Sequence, residues 1–134
     1  MHFLYHPMVI HFPIALWTTS FLFDVLYGLT RQSFFSTGSR YLVGVGLLGA
    51  AVSIVAGFVD YRPLVAQGVG QAFIDMHRLH SFVAYGTTAL YALIFWTRLR
   101  WRAMPMAVYV TMGLAGAILI TLTGYLGGEV RGVM

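Results

Sequence analysis

The sequence predicts an all-α integral membrane protein, a four-helix bundle with up-down-up-down topology. Of its 134 residues, 59% are hydrophobic and only 9% are charged, whereas about a quarter of the residues of a soluble domain are charged. Four apolar segments each approach the roughly 20 residues that an α-helix needs to cross about 30 Å of hydrocarbon. Short connections join these segments, which favours antiparallel packing of successive helices.

The four segments form one predicted domain over residues 1–134, because this length allows a single domain. They cover residues 8–29, 41–59, 79–97 and 106–126. The first segment is expected to remain as a spanning helix, since no basic cluster precedes it and no small-residue cleavage site follows it. Residues 61–74 form the longest predicted connection, with a composition that can lie flat in the headgroup region.

The distribution of arginine predicts the orientation of the bundle. The chain has no lysine, and five of its eight arginines lie in the first and third connections: Arg31, Arg40, Arg98, Arg100 and Arg102. The opposite side has three arginines and three acidic residues that offset them: Arg62, Arg78 and Arg131, with Asp60, Asp75 and Glu129. By the positive-inside rule, the five-arginine side is cytoplasmic and both termini are extracytoplasmic.

Two features of the segments predict local structure. Pro13 cannot donate to the carbonyl of Val9, so the first helix should bend there. In the second segment, small residues follow one helix face and allow another helix to approach closely; these are Gly46, Ala50, Ser53 and Gly57. The aromatic residues Trp96, Trp101 and Tyr109 fit the belt at the membrane interface.

The composition also excludes several functions. The chain has no cysteine, which rules out disulfides, thiolate metal sites and covalent haem attachment through a Cys-x-x-Cys-His motif. No nucleophile with a neighbouring base, no phosphate loop and no nucleic-acid-binding surface is evident. We therefore expect a non-catalytic subunit whose surroundings are the lipid bilayer.

Histidines begin the first and third segments, and antiparallel packing places these two starts in the same leaflet. His6 and His11 lie in the first segment, and His77 and His80 lie in the third. At 1.5 Å per residue, the pairs of equal depth are His6 with His77 and His11 with His80. A helix tilt of about 20° exchanges these partners.

The first of three interpretations is that these histidines are interfacial residues that bind water, headgroups or backbone carbonyls. This interpretation fits His2 best. For His6 and His77 it is as well supported as a role in binding a cofactor or metal. His11 is hardest to explain in this way, because the helix around it is apolar. An ionisable residue inside a membrane is a functional candidate.

The second interpretation is one haem b, held by an imidazole from each of two helices. His11 supplies one axial nitrogen, and His77 or His80 supplies the other. Glycines in or near the outer half give room for a flat ligand: Gly57, Gly86, Gly124, Gly127 and Gly128. An arginine at the membrane edge pairs with the propionates, the candidates being Arg62, Arg78 and Arg131.

The third interpretation is a non-haem site for zinc, copper or iron. Its ligands are His6, His11, His77 and Asp60, which ends the second segment on the same side. Against it, residues five positions apart on one helix diverge by about 140°.

A separate carboxylate, Asp24 near the cytoplasmic end, is expected to form a salt bridge with Arg40, Arg98 or Arg100.

Four motifs carry a family resemblance that spans nearly the whole chain: HPMVIHFPIAL at residues 6–16, GFVDY at 57–61, HRLHS at 77–81 and GYLGGEV at 124–130. Together they resemble the bacterial membrane family catalogued as domain of unknown function 2231. The matching polar positions are His6, Pro7, His11, Pro13, Asp60 and His77, whereas His80 is additional and Ser81 replaces a common asparagine. The family's usual tail is longer and carries a tyrosine.

The resemblance implies a multi-pass protein of the bacterial inner membrane. Similar domains are fused to, or accompany, cytochrome c and Rieske-type redox modules, which favours electron transfer by association. The leading prediction is a small b-type cytochrome or redox-complex subunit, with quinone as a possible further partner. The alternatives are a non-haem metal-binding membrane protein and a cofactor-free accessory subunit of a larger complex.

Overall fold

The computed structural model describes residues 5–101 and 103–133. The described part contains five helices: α1 (His6–Val9), α2 (His11–Thr30), α3 (Ser33–Ala66), α4 (Gln71–Arg100) and α5 (Met106–Gly132). His2, to which an interfacial position is assigned, and Arg102 of the arginine-rich side lie outside the described residues.

Four stretches of helix are long and apolar enough to cross a membrane, and α1 with α2 form the first of them. This confirms the prediction of an all-helical chain with four candidate spans. The up-down-up-down order and the outward position of both termini stay predictions. The first span is interrupted at Ile10, where Pro13 lacks the N–H that would bond to Val9, as expected.

The helices extend beyond the apolar segments. Helix α3 runs eight residues before Tyr41 and continues through Pro63 to Ala66. The predicted flat connection over residues 61–74 is therefore wrong, because only residues 67–70 separate α3 from α4. Gly68 adopts a positive φ of 83°, which glycine adopts readily and which ends the helix within one turn.

A buried ion pair joins the helices at one end of the bundle. Arg98 Nη2 donates to Asp24 Oδ2 at 2.7 Å, and Arg98 Nη1 donates to Ser39 Oγ at 2.8 Å. Ser39 also donates to Asp24, and the Arg98 guanidinium lies 4.1 Å from the ring centre of Tyr109. These contacts confirm the predicted salt bridge and select Arg98 as its partner. We call this group the Asp24 cluster.

Tyr109 is buried under Arg98, so its predicted place in the interfacial belt is wrong. The centre of the core is a stack of Trp17 on Tyr91, with ring centres 3.9 Å apart. Gly46 lies directly against the Trp17 indole, which confirms that the small stripe of α3 permits close approach.

Candidate functional site: the histidine cavity

A cavity of about 300 Å³ lies at the opposite end from the Asp24 cluster, and residues of all five helices line it. We call it the histidine cavity. Its lining is mostly apolar, with a few polar groups, which is typical of ligand sites in proteins. Four imidazoles belong to the lining: His6, His11, His77 and His80.

Asp60 holds the start of the first span at this cavity. Its Oδ1 accepts from the Tyr5 N–H at 3.1 Å and its Oδ2 accepts from the His6 N–H at 2.7 Å. Both carboxylate oxygens thus bind backbone donors at the start of the first span, where N–H groups lack helical partners and negative charge is favourable. Asp60 ties α1 to the end of α3 and sets the position of His6.

The His6 ring is held in one tautomer. Its Nδ1 lies 2.7 Å from the carbonyl oxygen of Ser53; a carbonyl only accepts, so Nδ1 carries the proton. In the neutral ring, Nε2 then has its lone pair free. Gly57 makes room for this arrangement, because a Cβ at that position would lie 3.3 Å from Nδ1.

His80 is the most buried imidazole of the site, with 6% of its surface exposed. Its Nδ1 is buried and finds no hydrogen-bond partner within the described part of the chain. Such an atom is costly in an apolar interior unless something binds the ring or a water reaches it. Gly127 permits the position, since its Cβ would lie 3.2 Å from His80 Cε1.

The rings of His6 and His80 are neighbours in the cavity. Their ring centres are 6.0 Å apart and their planes are 80° from parallel. Depth along the helices predicts that His6 pairs with His77 and that His11 pairs with His80. The observed pair is His6 with His80, which is the exchange of partners that helix tilt permits. Helical rise gives depth alone, and the break at Ile10 changes how the first turn enters the bundle.

His77 belongs to an aromatic group at the outer edge of the cavity. It stacks on Tyr61 of α3 with ring centres 4.1 Å apart, and Phe73 lies 5.8 Å away, one helical turn earlier on α4. Its Nδ1 is 3.4 Å from Ser81 Oγ, at the long limit of a hydrogen bond. Phe73, His77 and Ser81 are four residues apart and so lie on one face of α4, a sequence signal that points to the aromatic part of the site.

His11 lies at the rim of the cavity and is exposed, although the sequence makes it the leading ligand. Among the three arginines predicted to bind propionates, Arg131 lines the cavity. Arg62 and Arg78 are exposed residues outside that lining. Of the three candidate arginines, the structure therefore places Arg131 at the cavity and Arg62 and Arg78 outside its lining.

The predicted non-haem metal ligands do not form a coordinating group. Within residues 5–101 and 103–133, no three His, Asp or Glu side chains converge closely enough to hold a metal ion. The reason is that Asp60 turns both oxygens to the backbone of Tyr5 and His6, while His11 is at the rim and His77 stacks on Tyr61.

Comparison with known proteins gives one match. Residues 4–133 match the model of the family described as predicted membrane protein, DUF2231. No curated protein and no solved structure matches the chain. Because the match covers nearly every residue, including all four motifs and the complete histidine cavity, the chain belongs to the DUF2231 family of predicted membrane proteins.

Proposed function

We propose that the chain is a small membrane-bound b-type cytochrome subunit that holds one haem between His6 and His80. The observation that carries the proposal is the pair of neighbouring imidazoles from two helices, 6.0 Å apart between ring centres. Two imidazoles that bind one iron from opposite sides, each nitrogen about 2 Å from the metal, have ring centres about 6 Å apart. The observed separation agrees with that value.

The surroundings of His6 also suit a metal ligand. Imidazoles that bind metals usually donate their second N–H to a carbonyl or carboxylate, which fixes the tautomer and the ring orientation. His6 does so through Nδ1 to Ser53, which leaves Nε2 for iron. His80 is the second buried imidazole of the cavity, and its Nδ1 lacks a hydrogen-bond partner among the described residues.

The cavity walls agree with a flat amphiphilic group. A volume of about 300 Å³ is at the lower end of the range for ligand sites, so a macrocycle would fill the cavity and reach its openings. Gly57, Gly124 and Gly127 keep the walls free of side chains near the imidazoles. Arg131 at the rim would pair with propionate carboxylates.

Haem supplies reversible one-electron chemistry, and this chain's residues supply its environment. His6 and His80 would hold the haem through their imidazole nitrogens, the apolar walls would exclude water from it, and Asp60 holds the segment that carries His6. Few of the 134 residues lie outside the predicted spans, so this segment itself offers little surface for an electron acceptor. By association with its relatives, we propose an extracytoplasmic partner of cytochrome c or Rieske type and a place in the bacterial inner membrane.

The test is the absorption spectrum of the purified protein, oxidised and reduced, with the haem content per chain. We expect a Soret band and a sharp reduced α-band in the wild type. His6→Ala and His80→Ala should each lose the six-coordinate spectrum and most of the haem, because one axial ligand is removed. His11→Ala is the matched control and should keep both.

Other outcomes would overturn the proposal. Stoichiometric zinc, copper or iron without a Soret band would support a non-haem metal protein, and absence of any cofactor would support an accessory subunit. Loss of haem in His11→Ala, with full retention in His80→Ala, would return the ligand assignment to the one that the sequence favours.

A further inference from the structure

The end of the bundle that holds the Asp24 cluster carries positive charges that the described chain does not neutralise. Arg31 follows the last residue of α2, Arg40 lies near the start of α3, and Arg100 ends α4. Asp24 is already paired with Arg98. Within residues 5–101 and 103–133, no carboxylate forms an ion pair with Arg31, Arg40 or Arg100. We call these three residues the arginine patch.

The opposite end carries a balanced set of charges. Its arginines are accompanied by an equal number of acidic residues: Arg62, Arg78 and Arg131 with Asp60, Asp75 and Glu129. These charges cancel, so the excess of arginine that gives the chain its formal net charge of +4 belongs to the Asp24 side. The arginine patch therefore needs a negative partner from outside the described chain, and the opposite end does not.

Arg31 has a backbone conformation that arginine rarely adopts. Its φ of 59° and ψ of 14° lie in the left-handed region, where helices usually end with glycine because a Cβ is unfavourable there. The Arg31 N–H donates to the Tyr27 carbonyl at 2.9 Å, a bond that glycine would make equally well. The helix end does not require a guanidinium, and a charged side chain at a strained position indicates a binding role.

Exposed aromatic side chains place the arginine patch beside hydrocarbon. The Arg100 guanidinium lies 5.2 Å from the ring centre of Trp96, which is 59% exposed. Phe34, three residues after Arg31, is 68% exposed. Both aromatic residues belong to candidate membrane spans, and aromatic rings near the ends of such spans lie at the depth of the lipid headgroups. This position favours an amphiphile with an anionic head over a dissolved anion.

We infer that the arginine patch binds the phosphate groups of anionic phospholipids such as phosphatidylglycerol. A guanidinium donates in a planar fork that matches phosphate oxygens, and each arginine near an anionic bilayer surface adds to the attraction. A zwitterionic lipid gains less, because Asp24 is buried and paired and so offers nothing to a choline group. The inference does not depend on haem, since the patch and the histidine cavity lie at opposite ends.

Native mass spectrometry of the detergent-purified protein tests the inference. The protein is titrated separately with phosphatidylglycerol and with phosphatidylcholine of identical acyl chains, and the bound fractions are compared. We expect phosphatidylglycerol to bind about tenfold more tightly, through its net negative charge. The preference should decline as the concentration of ammonium acetate rises, because salt screens exposed charges.

Matched double variants assign the preference to the patch. Arg31→Gln with Arg100→Gln removes two exposed charges from the patch, whereas Arg62→Gln with Arg78→Gln removes two exposed charges from the opposite end. We expect the first double variant to lower the affinity for phosphatidylglycerol about fivefold and to leave phosphatidylcholine binding unchanged. The second should bind as the wild type does. Arg31→Lys with Arg100→Lys should keep most of the preference, since the positive charges remain.

Three results would overturn the inference. Equal binding of the two lipids by the wild type would leave an acidic segment of another protein as the partner of the patch. Displacement of phosphatidylglycerol by excess inorganic phosphate would show that the patch takes a dissolved anion. An equal loss of affinity in both double glutamine variants would show a response to net charge alone, with no site at the patch.

Discussion

The two ends of the bundle treat buried polar groups in opposite ways. In the Asp24 cluster, Arg98 bonds to Asp24 and Ser39 and lies over Tyr109, so α2, α3, α4 and α5 are joined by one network. In the histidine cavity, the rings of His6 and His80 lie 6.0 Å apart, and they line a space of about 300 Å³. One end is closed and the other is open.

The closed end contributes to stability, and the open end is the candidate binding site. A charge inside a membrane is costly until it is paired, and Asp24 with Arg98 meets that cost within the chain. Within the described residues, Arg98 Nε in that cluster and the hydroxyl of the nearby Tyr91 lack partners, but Arg98 makes two other bonds and Tyr91 is stacked on Trp17. His80 Nδ1 lies at the open end and is likewise without a hydrogen-bond partner among the described residues.

The largest expected effect is at the closed end. Asp24→Ala leaves the Arg98 guanidinium buried and unpaired, which should lower the free energy of unfolding by about 3–5 kcal/mol. Thermal unfolding in detergent, followed by circular dichroism, measures the change. Arg100→Ala removes an exposed charge of the same helix and should cost no more than about 1 kcal/mol. Equal melting of the two variants would contradict a stabilising role for the Asp24 cluster.

The second-largest effect on the free energy of unfolding is expected from a glycine substitution in the core. A Cβ at Gly46 would overlap the Trp17 indole, so Gly46→Ala should destabilise the core by about 1–3 kcal/mol through overpacking. Gly86 has no atom within 4 Å of a Cβ position, so Gly86→Ala should be neutral or slightly stabilising, since alanine favours helix. The same melting experiment distinguishes them, and the reverse order would show that the Trp17 stack is loosely packed.

Asp60 has features of both ends. It is a charged residue whose hydrogen bonds lie within the chain, as in the Asp24 cluster, and it lines the histidine cavity. Asp60→Ala removes both acceptors of the Tyr5 and His6 N–H groups and should cost about 1–2 kcal/mol, as loss of a helix cap does. Hydrogen exchange should increase over residues 5–9 and hardly elsewhere. Asp75→Ala, which removes an exposed carboxylate that accepts from Gln71, is the control. Unchanged exchange would remove Asp60 from the site.

The smallest effect on stability should come from the residue most important for binding. His80→Leu replaces a buried imidazole whose Nδ1 is unpaired among the described residues, so the cofactor-free protein should unfold within about 1 kcal/mol of the wild type or slightly above it. Its haem content should nevertheless fall. A loss of stability as large as that of Asp24→Ala would mean that His80 is structural.

Helix positions were predictable because apolar length and composition report on the bilayer directly. The interruption at Ile10 follows from Pro13, and the Asp24 ion pair follows from the scarcity of other charges nearby. The choice of Arg98 over Arg40 and Arg100 did not follow, because it depends on which helix face turns inward. Polar residues such as Gln71 and Ser33 continue the helices outside the apolar segments, so hydropathy placed the ends of α3 and α4 too far inward.

The candidate site was predictable in its membership and less so in its arrangement. Four histidines at the starts of two helices point to one end of a bundle, and the structure places all four at one cavity. The roles of His11 and Asp60 depend on side-chain direction, which spacing does not give. His80 lies outside the family pattern by resemblance, so the ring contact of His6 with His80 was visible only from the structure.

Electron paramagnetic resonance of the oxidised, purified protein tests the central claim most directly. The imidazole planes of His6 and His80 are 80° apart, and two nearly perpendicular axial imidazoles give low-spin ferric iron a highly anisotropic spectrum with a large principal g value. We predict that signal in the wild type and its absence in His80→Ala. A high-spin signal, the rhombic spectrum of parallel imidazoles, or no haem signal at all would contradict the account.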